Sequence, residues 1–217
     1  MSKKSLHRSD CAESFVNSGF MFLYMLIFSV LGFFFMFGNL NPWIELFIGI
    51  AFTVPIMILY FHAGGEEGAR EFKRLNGITV EQAKTGCKKA PNPFKGIIYV
   101  LPYLLLSLLM SALCWAVDNQ IFKVFLLVVF MPAAILGQAT GLIVYPQEVV
   151  YDKGLVTEYT VIEGTTSGLN VFIVVAVFAI IACMVFMIAY IRKIRQSKDT
   201  FNSFMTEIVM NDKFRNK

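Results

Sequence analysis

Five stretches of this chain, residues 14–44, 46–65, 96–117, 124–147 and 164–191, contain no Asp, Glu, Lys or Arg, and they are 31, 20, 22, 24 and 28 residues long. A helix needs roughly 20 mostly apolar residues to cross the hydrocarbon core, where every backbone N–H and C=O must be satisfied within the segment. All five meet that length. The rest of the composition agrees, since 16% of the 217 residues are charged and 57% are hydrophobic, against a charged share of about 25% in soluble domains. The sequence therefore predicts a membrane protein and an all-α fold, a polytopic bundle of five transmembrane helices at about 19–37, 43–61, 96–117, 122–145 and 169–191. A polar loop at 64–95 divides it, and a basic tail follows at 192–217.

Lys3, Lys4 and Arg8 precede the first apolar run as in a signal peptide, but that run is too long and lacks a small-x-small cleavage site, so a retained first helix is expected. Trp43, Tyr60, Tyr99, Trp115, Tyr145 and Tyr190 fall near segment ends, where rings with a polar edge suit the headgroup region. "GNLNP" at 38–42 and "DNQ" at 118–120 read as tight turns between antiparallel helices. In "VVYDKGLVTEYTVIEG", two β-branched and aromatic runs flank Asp152-Lys153-Gly154, a candidate β-hairpin. In the tail, Phe201, Phe204, Met205, Ile208 and Val209 share one helical face, with Asp199 or Thr200 as N-cap. That amphipathic helix, at about 199–210, is expected at the bilayer surface or on a partner.

Charge constrains the threading but leaves a conflict. Residues 64–95 carry seven basic and four acidic side chains, whereas 146–168 carry one basic and four acidic. Five crossings with the N-terminus inside put 11 basic residues inside and 8 outside, a thin margin for a rule that places Lys and Arg on the cytoplasmic side. The two strongest positive clusters, the loop and the tail, then face opposite ways. The reading adopted is five full passes; the alternative is a re-entrant fourth segment, the weakest span, with Pro132 and the polar run "GQATG" at 137–141.

Several functions are disfavoured. A net charge of +4 without a clustered basic face excludes nucleic acid as a partner. Cys11, Cys87, Cys114 and Cys183 are scattered, with no C-x-x-C, and read as incidental thiols. There is no H-E-x-x-H, G-x-S-x-G, P-loop or paired intramembrane Asp, so no cofactor, metal or catalytic residue is assigned. Pro55, Pro102 and Pro132 bend three helices and free carbonyls, as in transporters, yet ionisable residues within the spans are missing.

The densest polar cluster beside an apolar run is "FHAGGEEGAREFKR" at 61–74. His62 and Glu66 share a helix face but lack the third ligand that a metal site usually needs. The carboxylates among the glycines would repel a phosphate. The plain reading pairs Glu66 with Arg70, Glu67 with Arg70, and Glu71 with Arg74 along a helix. His62, Glu66, Glu67, Arg70, Lys88 and Lys89 are the candidate headgroup or partner contacts, with Lys84 and Lys95 also available to anionic lipid. Ala133, Gly137 and Gly141, spaced by four, form a stripe for helix packing within the bundle or in a homo-oligomer. Gln138 is expected to hydrogen-bond a neighbouring helix, a ligand contact being the alternative.

The function expected is that of a non-enzymatic multi-pass protein, either an accessory subunit of a membrane complex or a small transporter-like protein. Its partners would be the lipid bilayer and a protein docked on loop 64–95 or tail 199–210. The alternative is an enzyme acting at headgroup level with His62 and Glu66. The Phe- and Lys-rich style points to a bacterial inner membrane.

Overall fold

A computed structural model describes residues 3–33, 41–76, 92–144, 147–151, 159–163 and 166–215. The fold is all-α, with helices α1 (Lys3–Gly32), α2 (Pro42–Asn76), α3 (Lys95–Val117), α4 (Gln120–Val129), α5 (Met131–Ala139) and α6 (Gly168–Arg215). Four of these, α1, α2, α3 and α6, are long and apolar enough to cross a membrane.

The expected single helix at 122–145, bent at Pro132, is corrected to two. The segment breaks into α4 and α5, which meet at 105°. Phe130 leaves the helical region at φ −106° and ψ 39°, and Pro132 stands in the first turn of α5, where its missing N–H costs nothing. Proline here starts a new helix; Pro55 and Pro102, by contrast, lie inside unbroken helices. The segment also stops before residue 145. Gly141, at φ +74°, closes α5 by directing its N–H to the Gln138 carbonyl (2.9 Å) and the Leu142 N–H to that of Gly137 (2.9 Å).

Two short strands follow, β1 (Gln147–Tyr151) and β2 (Tyr159–Glu163), paired antiparallel with Tyr151 opposite Tyr159 and Gln147 opposite Glu163. The tight hairpin expected at Asp152-Lys153-Gly154 is not supported. That register leaves seven residues, 152–158, to connect the strands, and the expected turn lies outside the described residues.

The other helix starts are written locally. Asn41 accepts the Trp43 N–H on its side chain at 3.0 Å, with Pro42 next, and Asn92 does the same for Phe94 at 3.0 Å. Asn119 caps α4 by accepting from Ile121 (2.9 Å) and Phe122 (3.3 Å). Before it, Asp118 takes φ 49°, a left-handed position that Asp tolerates better than most residues. The turn expected at 118–120 is therefore present.

The chain forms two compact units. The first comprises residues 1–19, 57–102 and 181–217, stretches that contain 17 of the 19 basic residues and 9 of the 15 acidic ones, a net of +8. In it α2 and α6 run parallel in contact. A Cβ on Gly64 would lie 2.3 Å from the Phe186 carbonyl oxygen, and one on Gly68 would lie 2.6 Å from that of Tyr190. The offset in sequence is the same at both points. Two glycines four apart, without side chains to intervene, are what allow the two backbones to touch.

The second unit comprises 20–56 and 103–180 and carries 2 basic and 6 acidic residues, a net of −4. Here α3 and α6 are antiparallel. Gly168 at the start of α6 donates its N–H to Asp118 Oδ1 at 3.1 Å just past the end of α3, and the Trp115 and Phe172 rings lie 5.8 Å apart. The excursion through α4, α5, β1 and β2 thus leaves and returns at one place.

Large apolar side chains such as Trp43 (78%) and Phe47 (73%) remain exposed along the helices, as lipid-facing residues would be. Of the aromatic residues expected near segment ends, Trp43 and Trp115 are exposed. Tyr60, Tyr99 and Tyr190 are instead fully buried, because they fill the space between the helices of the first unit.

Candidate functional site

Glu71 is the centre of the first unit. Its side chain is 4% exposed and receives Arg74 Nη2 at 2.6 Å, Lys95 Nζ at 3.0 Å and the Tyr99 hydroxyl at 3.3 Å. Lys95 also sits 5.8 Å from the centre of the Tyr99 ring. Arg74 continues to Glu13 on α1 at 3.8 Å. One turn earlier the buried Glu67 meets Arg70 at 3.6 Å, and Arg70 meets Glu66 at 3.5 Å. A carboxylate out of water is costly unless paired and hydrogen-bonded, and each described partner here comes from a neighbouring turn or helix. On α1, Ser14 donates to the Ile98 carbonyl and Ser18 to that of Tyr99, tying α1 to α3.

The three helix-spaced pairs expected from the sequence, Glu66–Arg70, Glu67–Arg70 and Glu71–Arg74, are all present. The expected loop 64–95 is corrected at its start, because residues 64–76 continue α2 as helix. Lys84, Lys88 and Lys89 lie outside the described residues. Glu13, Ser14, Ser18, Lys95 and Tyr99 were not singled out as part of one cluster. A spacing of four between Ser14 and Ser18, in phase with Glu13 and Asn17, was the available signal.

Beside this network, α2 and α6 leave a cleft of about 410 Å³ lined by Phe61, His62, Gly65, Glu66, Ala69, Ala189, Arg192, Lys193 and Gln196. Its floor is made of small residues. His62 Nε2 lies 3.5 Å from Glu66 Oε1, and Lys193 donates to Gln196 Oε1 at 3.3 Å. Among the described residues no three His, Cys, Asp or Glu side chains are grouped as a metal site would require. The His62 and Glu66 side chains are 76% and 53% exposed, a surface pair rather than a sequestered acid and base.

The second unit holds two further polar contacts. Gln138 Nε2 donates to Glu45 Oε1 at 2.8 Å, so the amide bonds between helices, and Glu45 is itself buried. Replacing Gln138 by Leu should lower stability in chemical unfolding by roughly 1–3 kcal/mol, since it takes a donor from a buried carboxylate. Of the small-residue stripe, Ala133 is buried, and Gly137 packs so that a Cβ would meet Ile143 Cγ1 at 2.6 Å and Val174 Cγ2 at 3.1 Å. Gly141 is not part of that face: it lies past the helix end with open space around it, and serves through its backbone conformation.

Asp118 receives the buried Lys123 ammonium at 2.7 Å. That hydrogen bond, then the one from the Gly168 N–H, holds the Asp118 carboxyl below its ordinary value of 3.8. A carboxyl depressed in the folded state stabilises the fold fully above its unfolded value and loses that contribution as pH falls through the folded one. Asp118→Asn should therefore lower the thermal midpoint about equally at every pH from about 5 to 8, and should soften the parent's decline below about pH 4. A midpoint equal to the parent's at neutral pH would contradict the pairing.

Fold and site together define a helical membrane protein whose one strongly basic unit is internally ion-paired. Comparison of the chain with known protein families, with curated proteins and with solved structures finds no match.

Proposed function

We propose that the chain is a non-enzymatic subunit of a cell-membrane complex, in bacteria the inner membrane, that crosses the bilayer four times with its basic unit in the cytoplasm. The observation that carries this is the charge division: 17 of 19 basic residues lie in the stretches of the first unit, and the second is net negative. The excursion between α3 and α6, which returns to its point of departure, supports a re-entrant α4–α5 in place of a fifth pass. Residues 1–18, 64–95 and 192–217 then face the cytoplasm together, and the conflict between loop and tail disappears.

A transporter would need a polar cavity near Pro102, Pro132 and Gln138. The engagement of Gln138 with Glu45 and the burial of residues 131–135 favour the subunit reading. An enzyme at headgroup level would rest on His62 and Glu66, whose partners are those of a helix surface.

Two measurements test the proposal. Single cysteines at positions 84, 155 and 197 should be labelled from the cytoplasm, from outside and from the cytoplasm, respectively, by membrane-impermeant maleimide; positions 84 and 155 labelled from the same side would restore five passes. Isolation from native membranes in mild detergent should recover the chain with a membrane partner in fixed ratio. Recovery as a lone monomer would remove the subunit role.

A further inference from the structure

The cleft between α2 and α6 is unlike the ion network next to it, because its cations are not spent on carboxylates. Arg70, Arg74 and Lys95 each meet a glutamate. Among the described residues, Lys193 has only the Gln196 amide oxygen and Arg192 has no ion pair. The single carboxylate of the cleft, Glu66, is already shared by His62 and Arg70. What remains in excess is positive charge at one end of a cleft whose other end is Phe61.

The depth also matters. His62 is the first polar residue after the apolar run of α2, and Arg192 the first charge after that of α6. With α2 and α6 in parallel register, the cleft extends from the apolar boundary of one helix to that of the other, on the order of 10 Å along the axis. An acyl-glycerol moiety suits the Phe61 end. A phosphodiester suits Arg192 and Lys193, the first offering a planar fork and the second a compact charge. A volume of about 410 Å³ falls within the range of small-molecule sites. The small floor residues Gly65, Ala69 and Ala189 make the room.

We infer that this cleft binds the phosphodiester headgroup of an anionic membrane lipid. Arg192 and Lys193 hold the phosphate, Gln196 and Glu66 accept from headgroup hydroxyls, and His62 closes the membrane side. The inference rests on the proposed threading, which puts the cleft at the cytoplasmic headgroup layer, but not on the subunit role.

Native mass spectrometry of the full-length protein in detergent, titrated with phosphatidylglycerol, tests it. One lipid should be retained per chain, in preference to phosphatidylcholine. The double variant Arg192→Ala and Lys193→Ala should weaken retention roughly tenfold. The pair Arg195→Ala and Lys198→Ala, which removes the same charge from the same helix outside the cleft, should change it little. Gly65→Leu fills the cleft without altering charge and should abolish retention; each variant's thermal midpoint reports whether it is folded. Equal weakening by the two double variants would reduce the effect to diffuse attraction and overturn the site. Displacement of the lipid by equimolar inorganic phosphate would assign the cleft to free phosphate and overturn the lipid. Failure to recover a protein partner leaves these readouts untouched, so the two readings fail separately.

Discussion

Glu71→Ala should destabilise the protein by about 3–5 kcal/mol, the cost of breaking a buried ion pair from one side. The loss is large because Glu71 faces two cations and a hydroxyl at once, Arg74 at 2.6 Å, Lys95 at 3.0 Å and Tyr99 at 3.3 Å. Lys95 is only 16% exposed, so its ammonium would be stranded. Following Glu71→Ala with Lys95→Met removes the stranded charge, and the double variant should recover part of the loss. Chemical unfolding in detergent measures both. A single-variant cost below about 1 kcal/mol, the range of surface pairs, would mean that the network contributes no more than an exposed ion pair.

Gly64→Ala is the second large effect. The added Cβ would lie 2.3 Å from the Phe186 carbonyl oxygen, and at Gly68 the corresponding distance is 2.6 Å from Tyr190. Because the obstacle is backbone and not a flexible side chain, α2 and α6 must separate. Overpacking of this kind typically costs about 1–3 kcal/mol, and both positions should reach the upper part of that range. Gly65, between them, has nothing within 4 Å of its Cβ position. Gly65→Ala should raise stability by up to about 1 kcal/mol through helix propensity alone. Equal behaviour of positions 64 and 65 would refute the contact.

What the sequence disclosed and withheld follows from the range of each interaction. Ion pairs such as Glu66–Arg70 sit one helical turn apart, so spacing alone reveals them. The Gln138 amide was legible as a group in need of a partner, but Glu45 is 93 positions away, and no local pattern names it. Gly64 and Gly68 have the spacing of a packing motif. The carboxylates of Glu66 and Glu67 stand between them, and that polar setting hides the motif in a stretch whose plain reading is a set of helix-surface ion pairs. Pro132 announced a bend; its 105° depends also on the Phe130 backbone at the junction. The fourth apolar stretch met the length of a crossing, but length does not report the bend that divides it into α4 and α5. The exposed Trp43 and Trp115 rings stand at segment ends, as position alone suggests, whereas Tyr99 and Tyr190 are sorted into the core by neighbours remote in sequence.

The contact between Gly64 and Phe186 has a bearing on biogenesis. Its two residues are separated by more than half of the chain, so it cannot form until the last apolar helix has left the ribosome. Until then α2 presents a bare glycine face, with two carboxylates close beside it. A chain stalled before α6 would thus leave the Gly64 and Gly68 positions uncovered. Completion of synthesis and concealment of that face would be the same event.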